Sequence, residues 1–338
     1  MTATAYDVFN GDADGICALH QLRLASPRAA ELVTGVKREI ALLERVPDLP
    51  GLELTVLDIS LDANAPALAR ILGQGGRVQY FDHHSARLAV PHPGLDLRWD
   101  DAPEVCTSIL VDRYLQGRFR RWAVAAACGD NLYGAGCALA AEAGLDAEQT
   151  ADLERLGTIL NYNAYGECLD DLHLAPAQLY RALHQYRDPF DFIAEAPEYR
   201  LLSDGYDADA ERMAALLPDW EWDCGAIYVL PCACWAHRIS GVYANRLSAA
   251  GVGRAFAVLS QNTDGSYTVS VRSGDPARRA AHVLCEGYAG GGGRRAAAGI
   301  NRLPEAQLES FARSFFDYFS ARPMSDVPPV RGAGKPAP

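Results

Sequence analysis

Four places in this sequence set carboxylates or imidazoles where they could gather round a cation. Asp12 and Asp14 stand two apart in FNGDADGICAL, Asp58 follows Val56 and Leu57, Asp82-His83-His84 ends the run QYFDHH, and Asp130 follows AVAAACG. Any one of them has an ordinary explanation. Asp-x-Asp-Gly is a common turn and helix N-cap, Asp58 would cap a following helix, Asp130-Asn131 would make a turn, and an adjacent histidine pair alone means little. Together they pose an electrostatic problem, because crowded carboxylates repel unless positive charge sits among them. Oxygen ligands with one imidazole suit Mn2+ or Mg2+, whereas structural zinc would want more sulfur and imidazole. Cys232-Ala-Cys234, with Cys224 upstream, has no second pair at zinc spacing and reads as core thiols.

For these places to meet, the intervening chain must return each to one edge. Ala5–Phe9, Glu31–Val36, Leu52–Ile59 and Arg77–Phe81 read as strands, with helices over about Asp14–Ala25 and Asn64–Leu72 between them. That alternation predicts an α/β fold with an open parallel sheet. Sites in such sheets lie beyond the carboxyl ends of the strands, where Asp12, Asp58 and Asp82 would stand. Cys106–Leu115, Arg121–Cys128 and Asp152–Leu160 then read as helices, and the aromatic stretch from Leu174 to Asp223 as helices and linker. GAIYVL from Gly225, RAFAVLSQ and YTVSVRS read as strands, the last two joined at Asn262-Thr263-Asp264-Gly265 by a hairpin turn. The expected organisation is a parallel-sheet domain over 1–185, a linker over 186–224, a smaller α/β domain over 225–322 and a disordered tail over 323–338, rich in Pro, Gly and Ala.

Composition narrows the partners. The formal net charge is −12, which favours a small anionic substrate held by a few basic groups over a long duplex. No apolar run is long enough to span a bilayer, so no membrane partner is expected, and the first residues lack the basic region of a signal peptide. Nine cysteines, an odd number scattered through the chain, suit free thiols in a reducing cytoplasm.

The order Asp12-Ala13-Asp14-Gly15, Asp58, Asp82-His83-His84, Asp130 resembles that of the DHH phosphoesterases, a family that includes RecJ-type nucleases, small-oligonucleotide nucleases and cyclic dinucleotide phosphodiesterases. The resemblance continues through the C-terminal third, which is similar to the DHH-associated domain in NRLSAAG from Asn245, SVRSG around Arg272 and Ser273, and AGGGGRRAAAG ending at Gly299. It implies a metal-dependent phosphoesterase that cleaves phosphodiester bonds in short oligonucleotides or small nucleotides. A cyclic dinucleotide phosphodiesterase and a non-catalytic nucleotide-binding regulator are the alternatives, and a homodimer is compatible with it. It further implies two Mn2+ ions, with Mg2+ as a substitute, Asp58 bridging them, Asp12 on the first, and Asp14, His83 and Asp130 on the second. Asp58, His84 and Asp82 would be catalytic, His84 facing the phosphate and Asp82 bracing the site.

This sequence departs from the pattern in two places. Members often carry a further ligand two or four residues before the Asp-x-Asp, where Asn10 and Val8 stand here, with Asp7 nearby as a substitute. Members also usually place a histidine after the glycines, where Arg294 stands. Gly291, Gly292 and Gly293 would bring backbone N–H groups close to phosphate, Arg294 would add a forked anion contact, and Arg272 and Ser273 would complete the substrate side. The alanines after Arg295 read as a helix start.

Overall fold

In the computed structural model, residues 5–87 and 91–320 are described; the expected disordered tail lies outside them. The chain divides into two compact units between Gly205 and Tyr206.

In the first unit, β1 (Ala5–Phe9), β2 (Glu31–Val33), β3 (Glu53–Leu57), β4 (Arg77–Asp82) and β5 (Leu95–Trp99) form a parallel sheet in the order β2-β1-β3-β4-β5. β5 has no counterpart among the expected strands. Its LDLRW alternates between half-buried and exposed residues as an edge strand should. The register matters most for function. Phe9 pairs with Leu57 and Leu57 with Phe81, so Asn10, Asp58 and Asp82 all follow one common rung. Because the chain goes from β1 outward to β2 and then crosses to β3, the strand order reverses at this edge, where open α/β sheets form their ligand crevice.

The helices are α1 (Ala13–Ala25), α2 (Leu61–Gly73), α3 (Thr107–Tyr114), α4 (Arg120–Gly129), α5 (Tyr133–Glu142), α6 (Ala147–Tyr162), α7 (Pro176–Leu183), α8 (Pro189–Glu195) and α9 (Pro197–Ala214). The last two occupy the stretch expected to hold helices and linker, and the division between the units falls within α9. α6 begins with a reciprocal capping box between Asp146 and Gln149, and α7 with proline at its first position. α1 is buried from Ala13 to Arg23. Among the described residues no helix is long and apolar enough to cross a membrane.

Burying α1 on all sides puts an imidazole in the core. His20 is 0% exposed, edge-on to Trp122 with ring centroids 4.5 Å apart, and its Nδ1 lies 3.0 Å from Nδ1 of His184. Burial, then the proximity of His184, lowers its pKa to about 3, against about 6.5 in the unfolded chain. Between those values the unfolded chain holds a proton that the folded chain does not, so stability falls as pH drops. From pH 7 to pH 5 this residue should cost about 2 kcal/mol at 1.36 kcal/mol per pKa unit. His20→Phe should remove that share of the pH dependence in urea unfolding. An unchanged slope would mean that His20 is not neutral in the fold.

The second unit has one sheet of β6 (Trp220–Trp222), β7 (Gly225–Leu230), β8 (Ala255–Gln261), β9 (Tyr267–Arg272), β10 (Gly291–Gly293) and β11 (Ala297–Leu303), ordered β10-β11-β9-β8-β7-β6. β7 and β8 are parallel and joined through α10 (Cys234–Ala250); the other neighbours are antiparallel. α11 (Ala281–Cys285) and α12 (Leu308–Phe319) follow in chain order, and Phe311, Phe315 and Phe316 of α12 fill the core with Ile227, Leu259 and Val269.

Two expectations are corrected here. The alanine run after the glycines does not start a helix: Ala298 and Ile300 alternate inward along β11, which pairs back on β10, so the period is two. Gly293, at φ 140°, takes a conformation that a side chain would oppose. Cys232 and Cys234 are not core thiols but exposed residues where β7 gives way to α10; Cys17, Cys106, Cys128 and Cys285 are the buried cysteines.

Candidate metal centre

The carboxylates reach the sheet edge by different local devices. Asp12 is the N-cap of α1, its Oδ1 accepting from the N–H groups of Asp14 at 3.0 Å and Gly15 at 3.1 Å. Gly15 is needed for packing, since a Cβ there would run into the Asn10 carbonyl. Asp14 points from the first turn of α1 to the start of α3, where the N–H groups of Thr107 and Ser108 each donate to it at 2.7 Å. Asp58 stands just past β3 with φ 57°, a left-handed conformation that costs on the order of 1 kcal/mol in a residue with a Cβ. Its N–H still donates to Phe81 O at 3.0 Å, so the ladder continues while the chain turns. Asp130 ends α4, donating its N–H to Ala126 O.

His83 and His84 leave β4 in different directions. His83 is 5% exposed, and its Nδ1 lies 2.8 Å from the Val105 carbonyl. A carbonyl can only accept, so Nδ1 carries a proton, and Nε2 is the nitrogen left with a lone pair whenever the ring is neutral. That Nε2 faces Asp58 Oδ1 at 3.4 Å, Asp130 Oδ2 at 3.8 Å and Asp14 Oδ2 at 3.9 Å. Three carboxylates and one imidazole lone pair make the donor set that a hard divalent cation prefers. His84 instead sets its Nδ1 2.7 Å from Asp82 Oδ1. Asp82 is fully buried and also accepts from the N–H groups of Leu61, His83 and His84, so it is a fixed brace.

The charges explain why the centre calls for a cation. Burial, then repulsion from Asp12 and Asp14, holds the Asp58 carboxyl well above the usual carboxylate range. Burial raises Asp14 as well, with Asp130 and Asp12 adding to it against the pull of His83. Burial works against the His84 imidazolium, but the hydrogen bond to Asp82 and the charge on Asp58 outweigh it, and its pKa is raised. In its protonated form the ring offers no lone pair to a metal and donates a hydrogen bond instead. Asp58, His83 and His84 hold potential ligand atoms within 4.8 Å of one another.

The structure also brings in a residue that sequence reasoning missed. Lys37, beyond β2, ion-pairs with Asp12 Oδ2 and lies 3.8 Å from Asp130 Oδ1. Burial disfavours the ammonium, but Asp12, Tyr165 and Asp130 outweigh it and hold its pKa above the usual lysine value. A signal for it exists in the sequence, because β2 runs parallel to β1 and ends at the same edge. The two replacements in the expected first metal site are accounted for differently. Asn10 accepts from Asp12 N–H at 3.2 Å and donates to Lys37 O at 3.2 Å, so it joins two backbone segments. Val8 is fully buried. Asp7 is no substitute: Arg23 and Arg28 bind its carboxylate together with Thr55, on the strand rather than at its end.

In the second unit, Arg272, Ser273 and the turn at Arg294 come together at one end of the sheet. Arg272 pairs across the sheet with Ala297, Ser273 N–H donates to Ala296 O at 3.0 Å, and Arg294 N–H donates to Ala297 O at 2.8 Å. The Arg272 guanidinium reaches Asn245 Oδ1 of α10 at 2.5 Å and Gly241 O at 3.2 Å, which ties NRLSAAG to SVRSG. Arg294 is exposed at the turn, with Gly291–Gly293 leading into it along β10.

No protein-family model and no curated protein sequence matches this chain. Solved structures do. A manganese-bound RecJ exonuclease superposes with a TM-score of 0.58 at 20% identity, over 94% of this chain and 90% of its own. The Mn2+ complex of RecJ from Thermus thermophilus gives 0.55 at 18% identity, over 97% of this chain and 53% of that longer one. The pGpG-specific phosphodiesterase PggH from Vibrio cholerae gives 0.55 at 14% identity, over 92% and 97%. With its parallel five-stranded sheet and second, mixed sheet, the chain has the fold of RecJ and PggH, the one its motif order leads one to expect of a DHH phosphoesterase.

Proposed function

We propose that this chain is a divalent-metal-dependent phosphodiesterase of short oligonucleotides or small nucleotides, working with Mn2+ and accepting Mg2+. The observation that carries the reading is the orientation of His83, whose Nδ1 is held on Val105 O while Nε2 faces three carboxylates within 3.9 Å. A buried set of this kind has no structural use that an apolar core would not serve better. A cation held by Asp14, Asp58, His83 and Asp130 would supply Lewis acidity at the phosphoryl group. The chain's own part is to fix His83, to keep Asp14 on the amides of α3, and to offer the His84 imidazolium, braced by Asp82, to a phosphoryl oxygen as charge grows there.

The small-substrate reading is supported by the net charge of −12 and by the likeness to PggH, whose substrate pGpG is a dinucleotide. The test is the purified protein with Mn2+ on di- to pentanucleotides, cyclic dinucleotides, 3′-phosphoadenosine 5′-phosphate and long single strands. The expected result is fastest turnover on the shortest linear substrates, abolished by chelation. Turnover that survives exhaustive chelation sinks the metal mechanism, and a preference for cyclic dinucleotides replaces the substrate class. Tight nucleotide binding without hydrolysis makes the chain a regulator.

The second unit is proposed to bind substrate through Arg294, Arg272, Ser273 and the glycines before the turn. A grip on a part of the substrate that does not react acts equally on ground and transition states and so appears in KM. Arg294→Ala should raise KM for a dinucleotide roughly tenfold, about 1.4 kcal/mol, with kcat within about twofold. A minimal chromogenic phosphodiester should show no change. Equal losses on both substrates would place Arg294 at the scissile phosphate.

A further inference from the structure

We infer that the Lys37 ammonium takes the place of a second cation, so that this chain holds one divalent ion and not two. The inference rests on the metal-dependent reading above and concerns what stands beside the ion. Lys37 is held at both levels. Its backbone N–H donates to Ala164 O at 2.9 Å, and its carbonyl accepts from the Asn10 side chain at 3.2 Å. Its Nζ ion-pairs with Asp12, donates to Asn161 Oδ1 at 3.0 Å, faces Asp130 Oδ1 at 3.8 Å and lies 5.7 Å from the centroid of the Tyr165 ring. Two hydrogen-bonded oxygens, a further carboxylate oxygen at 3.8 Å and an aromatic ring form the socket for the lysine head.

Asp12 and Asn10, which would hold a separate ion on this side of the centre, are already engaged. Asp12 Oδ1 caps α1 and Oδ2 takes Lys37. Both ends of the Asn10 amide serve backbone groups, and Val8 has no donor atom. Asp14, whose oxygens also accept from the N–H groups of Thr107 and Ser108, stands with Asp58 and Asp130 around His83 Nε2, and these four are one cation's worth of ligands. A lysine in this position supplies a fixed positive charge to a phosphoryl oxygen with no dependence on metal concentration.

The experiment is a titration of the full chain with Mn2+ alone at neutral pH, followed by calorimetry, with electron paramagnetic resonance of the saturated protein. One ion per chain, with the spectrum of an isolated Mn2+, is expected. Two ions per chain, or a spectrum showing two coupled ions, overturns the inference and leaves the metal-dependent reading standing. No binding at all overturns both. Lys37→Met, checked for folding by circular dichroism, frees Asp12 Oδ2 and should bind more than one ion. A folded Lys37→Met that still binds one shows that Lys37 holds no ion's place, and if the variant does not fold, the wild-type stoichiometry decides.

Discussion

Asp58→Ala is expected to lower kcat/KM on a dinucleotide at least about a hundredfold at saturating Mn2+, a loss of about 2.7 kcal/mol, and to weaken Mn2+ binding in the same titration. Asp58 lies closest to His83 among the three carboxylates that its Nε2 faces, at 3.4 Å, and is 3% exposed, so water cannot replace it cheaply. Asp58→Asn separates function from folding. Asparagine keeps the volume and tolerates the φ of 57°, yet carries no charge. The wild-type carboxyl has its pKa raised by burial and by Asp12 and Asp14. A group raised in the fold contributes stability at low pH that is lost as pH rises through its folded pKa. Metal-free Asp58→Asn should therefore melt higher than metal-free wild type at neutral pH, while remaining inactive. That pairing of gained stability with lost activity is the mark of a site group. Retention of more than about a tenth of the wild-type rate by Asp58→Ala, a loss under about 1.4 kcal/mol, would remove Asp58 from the centre.

How much of this was legible beforehand depended on whether a residue announces itself by type or only by position. β1 is Ala5–Phe9, as the apolar run implies. Asp12, Asp58 and Asp82 stand out at strand ends because Asp after a β-forming run is a visible discontinuity, and the common rung of Phe9, Leu57 and Phe81 makes those ends coincide. Lys37 was invisible by type. A lysine four residues past a three-residue strand reads as ordinary surface charge, and only the fold shows it reaching Asp12. Asn10 was visible but its role was not, because an amide can accept or donate and the sequence does not say to whom; here it does both with backbone. The alanines of β11 misled for a related reason. Local helix propensity favours them, but Ala298 and Ile300 are buried on the face of the sheet, and tertiary pairing overrides propensity.

His84→Ala is expected to reduce kcat by about 10²–10³, or roughly 2.7–4 kcal/mol, the range for loss of one donor aimed at developing oxyanion charge. Its signature should differ from that of Asp58→Ala, because the stoichiometry and affinity of Mn2+ should stay unchanged. His84 Nδ1 is committed to Asp82 at 2.7 Å, and Asp82 is held in turn by the N–H groups of Leu61, His83 and His84. The imidazolium is thus favoured against its burial, first by the hydrogen bond to Asp82 and then by the charge on Asp58. Its pKa is raised, so the donor form is held to higher pH than in an unperturbed histidine and is lost as pH climbs through that value. The kcat profile should accordingly fall on its alkaline side, at higher pH than an unperturbed histidine would give. Asp82→Asn removes the main support and should move that limb to lower pH, with part of the rate recovered by working in more acidic buffer. Two results would count against this role. If His84→Ala raised the Mn2+ concentration needed and lost nothing at saturation, His84 would be a ligand, with its lone pair and not its proton in use. If Asp82→Asn lowered the rate equally at every pH, Asp82 would be holding the turn after β4 rather than the charge on the ring.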